Sequence, residues 1–164
     1  MNNELHNISE WFRANLLSLN VNKTKFMIFY HKAVCDNLIN QSLKINDIKI
    51  DQVQEFKFLG VTLQPSLSWN SHINSICKKI AKNIGILSKI RPILSEKSSL
   101  ALYYTLIHSN LNYCASVWGT TTKTEYYQLE ILQKRALRLI LKLPTQTPSN
   151  PMFQNLKILS LIHI

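Results

Sequence analysis

EFKFLGVTLQPSLSWNSHINSICKKI (residues 55–80) changes its period in the middle, and that change divides the chain. Before Pro65 the pattern is that of a strand, with Phe56 and Phe58 on one face. Gly60 interrupts it where a bend or a close backbone approach is wanted. Beyond Pro65, Ile73, Ile76, Cys77, Ile80, Ile84 and Leu87 recur at steps of one, three and four, the stripe of an amphipathic helix. Ser68 is placed to cap that helix, and Lys78, Lys79, Lys82 and Lys89 fall on its opposite face. The boundary therefore lies at about residues 64–68.

Upstream, Leu5, Ile8, Phe12, Leu16 and Leu19 give one apolar stripe to a helix that Asn2 or Asn3 can cap and that ends near Asn20. KFMIFY (25–30) is short, aromatic and almost wholly apolar, which suits a strand buried on both faces. In LKINDIKI (43–50), Asn46 and Asp47 tolerate positive φ and predict a two-residue hairpin turn. That register pairs Ile45 with Ile48 and Leu43 with Ile50, and sets Lys44 opposite Lys49. A like-charge pair there needs solvent or an anion to screen it.

Downstream, a helix is expected from Ser95 through Leu100, Tyr103, Ile107, Leu111, Cys114 and Trp118 to a stop at Gly119, and its poverty in charge predicts a central position. TKTE (122–125) is a capping-box pattern that opens a third helix striped by Leu129, Leu132, Ala136, Leu139, Ile140 and Leu143 and ended by Pro144. Lys134, Arg135, Arg138 and Lys142 gather on its far side. Pro148 and Pro151 mark a linker before NLKILSLIHI (155–164), which begins another apolar element. The class expected is α+β: an N-terminal helix and small antiparallel sheet in residues 1–66, a helical bundle in 67–145, and a linker with a terminal element in 146–164.

At 164 residues and 46% hydrophobic composition the chain can bury a real core. Its net charge of +10 is uneven: residues 1–65 hold seven Lys/Arg against six Asp/Glu, whereas 66–164 hold twelve against three. The second portion is where a polyanion would bind. Cys35, Cys77 and Cys114 form no C-x-x-C pair, so neither a disulfide framework nor a zinc knuckle is indicated, and a reducing, intracellular compartment, cytoplasmic or nuclear, fits best. No apolar run approaches the ~18–20 residues of a membrane span. His72 and His108 lack a partner at ligand spacing, and no nucleophile–base pair suggests a hydrolase. Helical spacing favours core packing for Trp118, Tyr103, Tyr104 and Tyr113 over base stacking.

The order and spacing of ISEWFRANLLSLNVNKTKFMIF (8–29), EFKFLGV (55–61), LSWNSHI (67–73), LYYTLIHSNLNYCASVWG (102–119) and LQKRALRLI (132–140) resemble the end of the palm and the thumb of a reverse transcriptase, an RNA-directed DNA polymerase, from a LINE-type, jockey-like non-LTR retrotransposon. Several consequences follow from the resemblance alone. Lys23 matches a lysine implicated in protonating pyrophosphate, so it is a general acid only within a complete polymerase. Phe58, Leu59, Gly60 and Val61 resemble the primer grip. The helices after Ser68 are similar to a thumb that holds a template–primer duplex, RNA–DNA hybrid or other, through its backbone and without sequence preference. The residues expected to do so are Lys82, Lys89, Arg91, Lys134, Arg135, Arg138 and Lys142.

The family's adjoining aspartates, which hold two Mg²⁺ ions, would precede Met1, and no two of the nine acidic residues here adjoin. The expectation is thus a truncated piece without a metal site, cofactor or polymerase activity of its own, whose other partners are the remaining palm and fingers. The alternative is a protein-interaction or self-associating helical module with no nucleic-acid role.

Overall fold

Asn46 and Asp47 take φ of 50° and 63°, and close the hairpin predicted for them. The computed structural model describes residues 2–30, 42–156, 158 and 160; Cys35 and the last four residues of the terminal apolar run lie outside these. The chain divides into two units, Met1–Ser68 and Trp69–Ile164.

In the first unit, strands β2 (Lys44–Ile45) and β3 (Ile48–Lys49) pair antiparallel with Lys44 opposite Lys49 and Ile45 opposite Ile48, and Ile50 N donates to Leu43 O at 2.9 Å. Both lysines of the like-charge pair are exposed, and Asp51 supplies a countercharge: it ion-pairs with Lys25 and also feels Lys49. That contact with Lys25 holds the Asp51 carboxyl below the usual range. The segment 25–30 is not the buried six-residue strand its composition suggested. Only β1 (Lys25–Phe26) pairs, parallel to β4 (Asp51–Gln52), and Phe29 is half exposed. The described strands therefore form three two-stranded pieces, one of them parallel, rather than one antiparallel sheet.

Residues 54–63 also differ from a continuous strand. β5 (Phe56–Phe58) turns back on β6 (Val61–Leu63), and Leu59 and Gly60, at φ of 46° and 87°, form the two-residue turn. Gly60 is a turn residue and not a kink. The helix α1 (Asn2–Ala14) stops well before Asn20, because Leu16 adopts φ 55° and Leu17 N reaches back to Phe12 O at 2.8 Å, a left-handed C-terminal cap. Its apolar stripe is only partly turned inward: Leu5 and Phe12 are half-buried and Ser9, which donates to Asn46 Oδ1, is buried, while Ile8 and Leu16 of the stripe are exposed, as is Trp11.

The second unit is helical. α2 (Asn70–Ile90) buries Ile73, Ile76, Ile80, Ile84 and Leu87, the stripe read from its spacing, together with His72. Its N-cap is Trp69 without a side-chain bond; Ser68 instead donates to Gln64 Oε1. The expected second helix is broken into α3 (Glu96–Tyr103), a π-helical turn (Tyr104–His108), α4 (Ser109–Asn112) and α5 (Ala115–Trp118). Ser95 does cap α3, accepting from Ser98 N at 3.1 Å. The break lies at Tyr113, which is extended, and Cys114, at φ 52°. It lets Trp118 enter the core fully buried with its indole N–H satisfied by Tyr113 O at 2.8 Å.

α6 (Lys123–Ile140) opens with the full capping box, Thr122 Oγ1 accepting from Glu125 N and Glu125 Oε2 accepting from Thr122 N. It packs on α2 and α3 through Leu129, Ala136, Leu137 and Ile140. The short α7 (Asn150–Leu156) runs through Pro151, where a linker was expected, and it adds Phe153 to this core, as does Ile158 after it.

Candidate nucleic-acid interface

Four of the seven basic residues singled out from the sequence are open to solvent. Lys82 and Lys89 lie on the exposed side of α2, Arg135 on that of α6, and Lys142 just beyond it. Among the described residues no ion pair engages them. The other three are less available. Arg91 is half-buried in the 3-10 turn Arg91–Ile93. Arg138 Nε donates to Thr147 O at 3.0 Å and so fastens the turn that follows α6. Lys134 pairs with Glu130, whose side chain is only 6% exposed. Lys134 thus compensates a buried carboxylate, which would otherwise be costly to keep charged. Of the four residues read as a far-side cluster, Arg135 and Lys142 are exposed, whereas Lys134 and Arg138 are partly buried and engaged.

The cause is the rotation of α6. Its buried arc runs through Leu129, Glu130, Gln133, Ala136, Leu137 and Ile140, which leaves Leu132 and Leu139 only partly buried and brings Glu130 and Gln133 inside. Gln133 Nε2 donates to the hydroxyl of Tyr103 at 3.1 Å. Spacing alone did not find this pair, since a glutamine on a polar-looking face carries no sign of its partner.

Tyr103 and Trp118 are core residues, as helical spacing favoured, but Tyr104 and Tyr113 are exposed. His108 stands 5.2 Å from the Tyr104 ring and 5.9 Å from that of Tyr103, and burial lowers its pKa. Burial likewise raises the Cys77 thiol.

The hairpin residues Phe58, Leu59 and Gly60 are exposed at the tip and Val61 is buried behind them. Beneath lies an apolar hollow of about 190 Å³ lined by Phe26, Phe29, Val53, Phe56 and Leu63. Lys23 ends a 3-10 turn (Val21–Lys23) capped by Asn20, and its side chain is exposed just ahead of β1. A pair of catalytic Mg²⁺ ions needs converging carboxylates. Among the described residues no group of three or more His, Cys, Asp or Glu comes together, so the donor set does not fit such a centre. Among them, too, no helix is long and apolar enough to cross a membrane.

The first unit thus carries an exposed two-residue hairpin, and the second is helical with an excess of basic residues. Over 160 residues, 94% of this chain, it is 22% identical to the "Probable RNA-directed DNA polymerase from transposon BS" of Drosophila melanogaster. The chain is similar to part of a jockey-like reverse transcriptase. Other relatives agree: the X-element polymerase of the same fly is 26% identical over 82% of the chain, and the jockey polymerase of Drosophila funebris 28% over 58%. The chain spans only 17% and 15% of the length of the first two relatives. No protein-family pattern and no solved structure matches it.

Proposed function

We propose that Trp69–Ile164 is a thumb-like part of a mobile-element reverse transcriptase that holds a template–primer duplex by its phosphate backbone. The observation that carries this reading is the set of exposed cations Lys82, Lys89, Arg135 and Lys142, none of them ion-paired among the described residues. Phosphate contacts fix position and carry no sequence information, so the binding is non-specific. In the same reading the Leu59–Gly60 turn is primer-grip-like and Lys23 is a proton donor only beside a nucleotide that other parts of such a polymerase would bind. Nucleotide transfer is not assigned to this chain's own carboxylates, no two of which adjoin.

The test is a titration of a labelled RNA–DNA hybrid at a series of salt concentrations. Neutralising four phosphates gives a slope of log affinity against log salt of roughly −3 to −4. Arg135→Ala with Lys142→Ala should flatten it by about 2. Absence of binding in dilute buffer, or a slope indifferent to the two changes, overturns the reading. A second reading is favoured by one observation, the exposed Ile8 and Trp11 on α1: a surface through which the first unit self-associates or docks on a protein. Oligomerisation insensitive to salt would support it.

A further inference from the structure

We infer that α1 is the contact helix of a dimer, in which two copies of the chain lay their α1 helices antiparallel, Trp11 of each against Ile8 of the other. The inference rests on the second reading above and adds the occupant of that surface and its register.

α1 packs inward through Leu5, Ser9 and Phe12 and leaves Ile8 48% and Trp11 58% exposed. Just past the helix, Leu16 and Leu17 are exposed as well. Large apolar side chains scattered singly over a surface need no explanation, but a group of them within one short stretch marks a surface that is covered in use. Trp11 is already positioned: its ring stands edge-on to that of Phe12, with centroids 5.4 Å apart. A ring fixed before association loses little freedom when it is covered.

What covers it follows from the order of groups along the helix. Glu4, Ile8, Trp11 and Asn15 succeed one another in steps of four, three and four, which keeps them on one side, and all four are exposed. The spacing is the same read from either end. A second copy laid antiparallel therefore meets the series in register, Ile8 opposite Trp11 at the centre and Glu4 opposite Asn15 on each flank. Such a contact is isologous and closes on itself.

Charge selects this orientation over the parallel one. Parallel helices would set Glu4 against Glu4, a like-charge juxtaposition. Antiparallel helices give each carboxylate an amide instead: Asn15 Nδ2 donates to Trp11 O at 2.8 Å, and the amide has a second hydrogen to offer. Arg13 is half a turn round the helix from Glu4 and pairs with Glu10 at 3.1 Å, so it does not enter the contact. Charge also favours a second copy as the occupant. Residues 1–65 hold seven Lys/Arg against six Asp/Glu, so two first units approach with little net repulsion, whereas residues 66–164, with twelve against three, repel their like. Two apolar side chains from each copy make a small interface, and the dimer is correspondingly weak, with a Kd on the order of 100 μM.

The experiment is analytical ultracentrifugation of the full chain at moderate salt, over concentrations reaching about tenfold to either side of that value. A monomer–dimer equilibrium is expected. Trp11→Asp should weaken it by about tenfold or more, while Ile131→Asp, at an exposed apolar residue of α6, should change it less than about twofold. Asn15→Lys reports the orientation. In the antiparallel register each new ammonium faces Glu4 of the other copy, and the dimer should tighten about threefold. In a parallel one the two ammonium groups face each other, and it should loosen. Circular dichroism reports whether each variant stays helical, and Ile8→Asp repeats the central test should Trp11→Asp unfold. A chain that stays monomeric throughout overturns the inference and leaves docking on another protein as the use of this surface. Equal loss in Trp11→Asp and Ile131→Asp, or none in a folded Trp11→Asp, also overturns it. A dimer broken by Trp11→Asp but loosened by Asn15→Lys keeps the second reading and overturns the antiparallel register alone.

Discussion

Tyr103 and Gln133 show how a single buried pair ties α3 to α6. The Tyr103 side chain is fully enclosed, and burial pushes its hydroxyl up to about 12, against a smaller opposing pull from the Gln133 hydrogen bond. In the unfolded chain a tyrosine releases its proton near pH 10. Between about pH 10 and 12 the unfolded state therefore binds fewer protons than the native one, and stability falls as pH rises through that window. Urea unfolding of the parent and of Tyr103→Phe across this range should give curves that differ in slope, the parent losing stability faster. Parallel curves would mean that Tyr103 does not titrate differently in the two states. At the same scale, Gly119 is needed for space rather than for backbone freedom: its φ is −66°, and a Cβ there would lie 2.4 Å from the Ala115 carbonyl oxygen.

Among the elements, α6 depends most visibly on its ends. Thr122 and Glu125 satisfy each other's amides, and Thr121 adds a further hydroxyl to the same carboxylate. These bonds, that from Thr121 first, hold the Glu125 carboxyl below the usual range. Thr122→Ala should cost about 1 kcal/mol of unfolding free energy, read as a lower urea midpoint at unchanged m; an unshifted midpoint would show that the cap is dispensable. The π-helical turn Tyr104–His108 has its own support, since Leu106 O accepts from both Asn83 Nδ2 at 2.6 Å and Asn110 Nδ2 at 2.7 Å. Three elements were legible from spacing: the Asn46–Asp47 hairpin, the stripe of α2 and the box at 122–125. Each rests on residues within a few positions of one another. The break at Tyr113–Cys114 was not legible, because the run 95–119 has an unbroken helical pattern and the break accompanies a tertiary feature, the burial of Trp118 with its indole bonded to Tyr113 O.

For the whole molecule, the two units differ in how much apolar surface they bury. Among the described residues, the first unit's buried hydrophobic residues are Ile45, Ile50 and Val61, whereas the second encloses a connected core from Ile73 to Ile158. Local opening is easier where few apolar contacts must be lost. Limited proteolysis should therefore cut within residues 1–68 first and leave a resistant fragment beginning near Trp69; early cutting inside α6 would contradict this. The charge follows the same division, with the excess cations on the unit that has the firmer core.

By itself the sequence determined the Asn46–Asp47 turn, the caps at Ser95 and Thr122, the period change near Pro65, the uneven charge and the likeness to jockey-type polymerases, because each is carried by residue type and short spacing. Only the tertiary structure decided which cations are free, since the rotation of α6 against α2 and α3 draws Glu130 inward and Lys134 with it while leaving Arg135 outside. It also decided that Ile8, Trp11, Tyr127 and Ile131 stay exposed. The physical reason is that a helix's pattern limits the faces it can bury, but the partners packed against it choose among them.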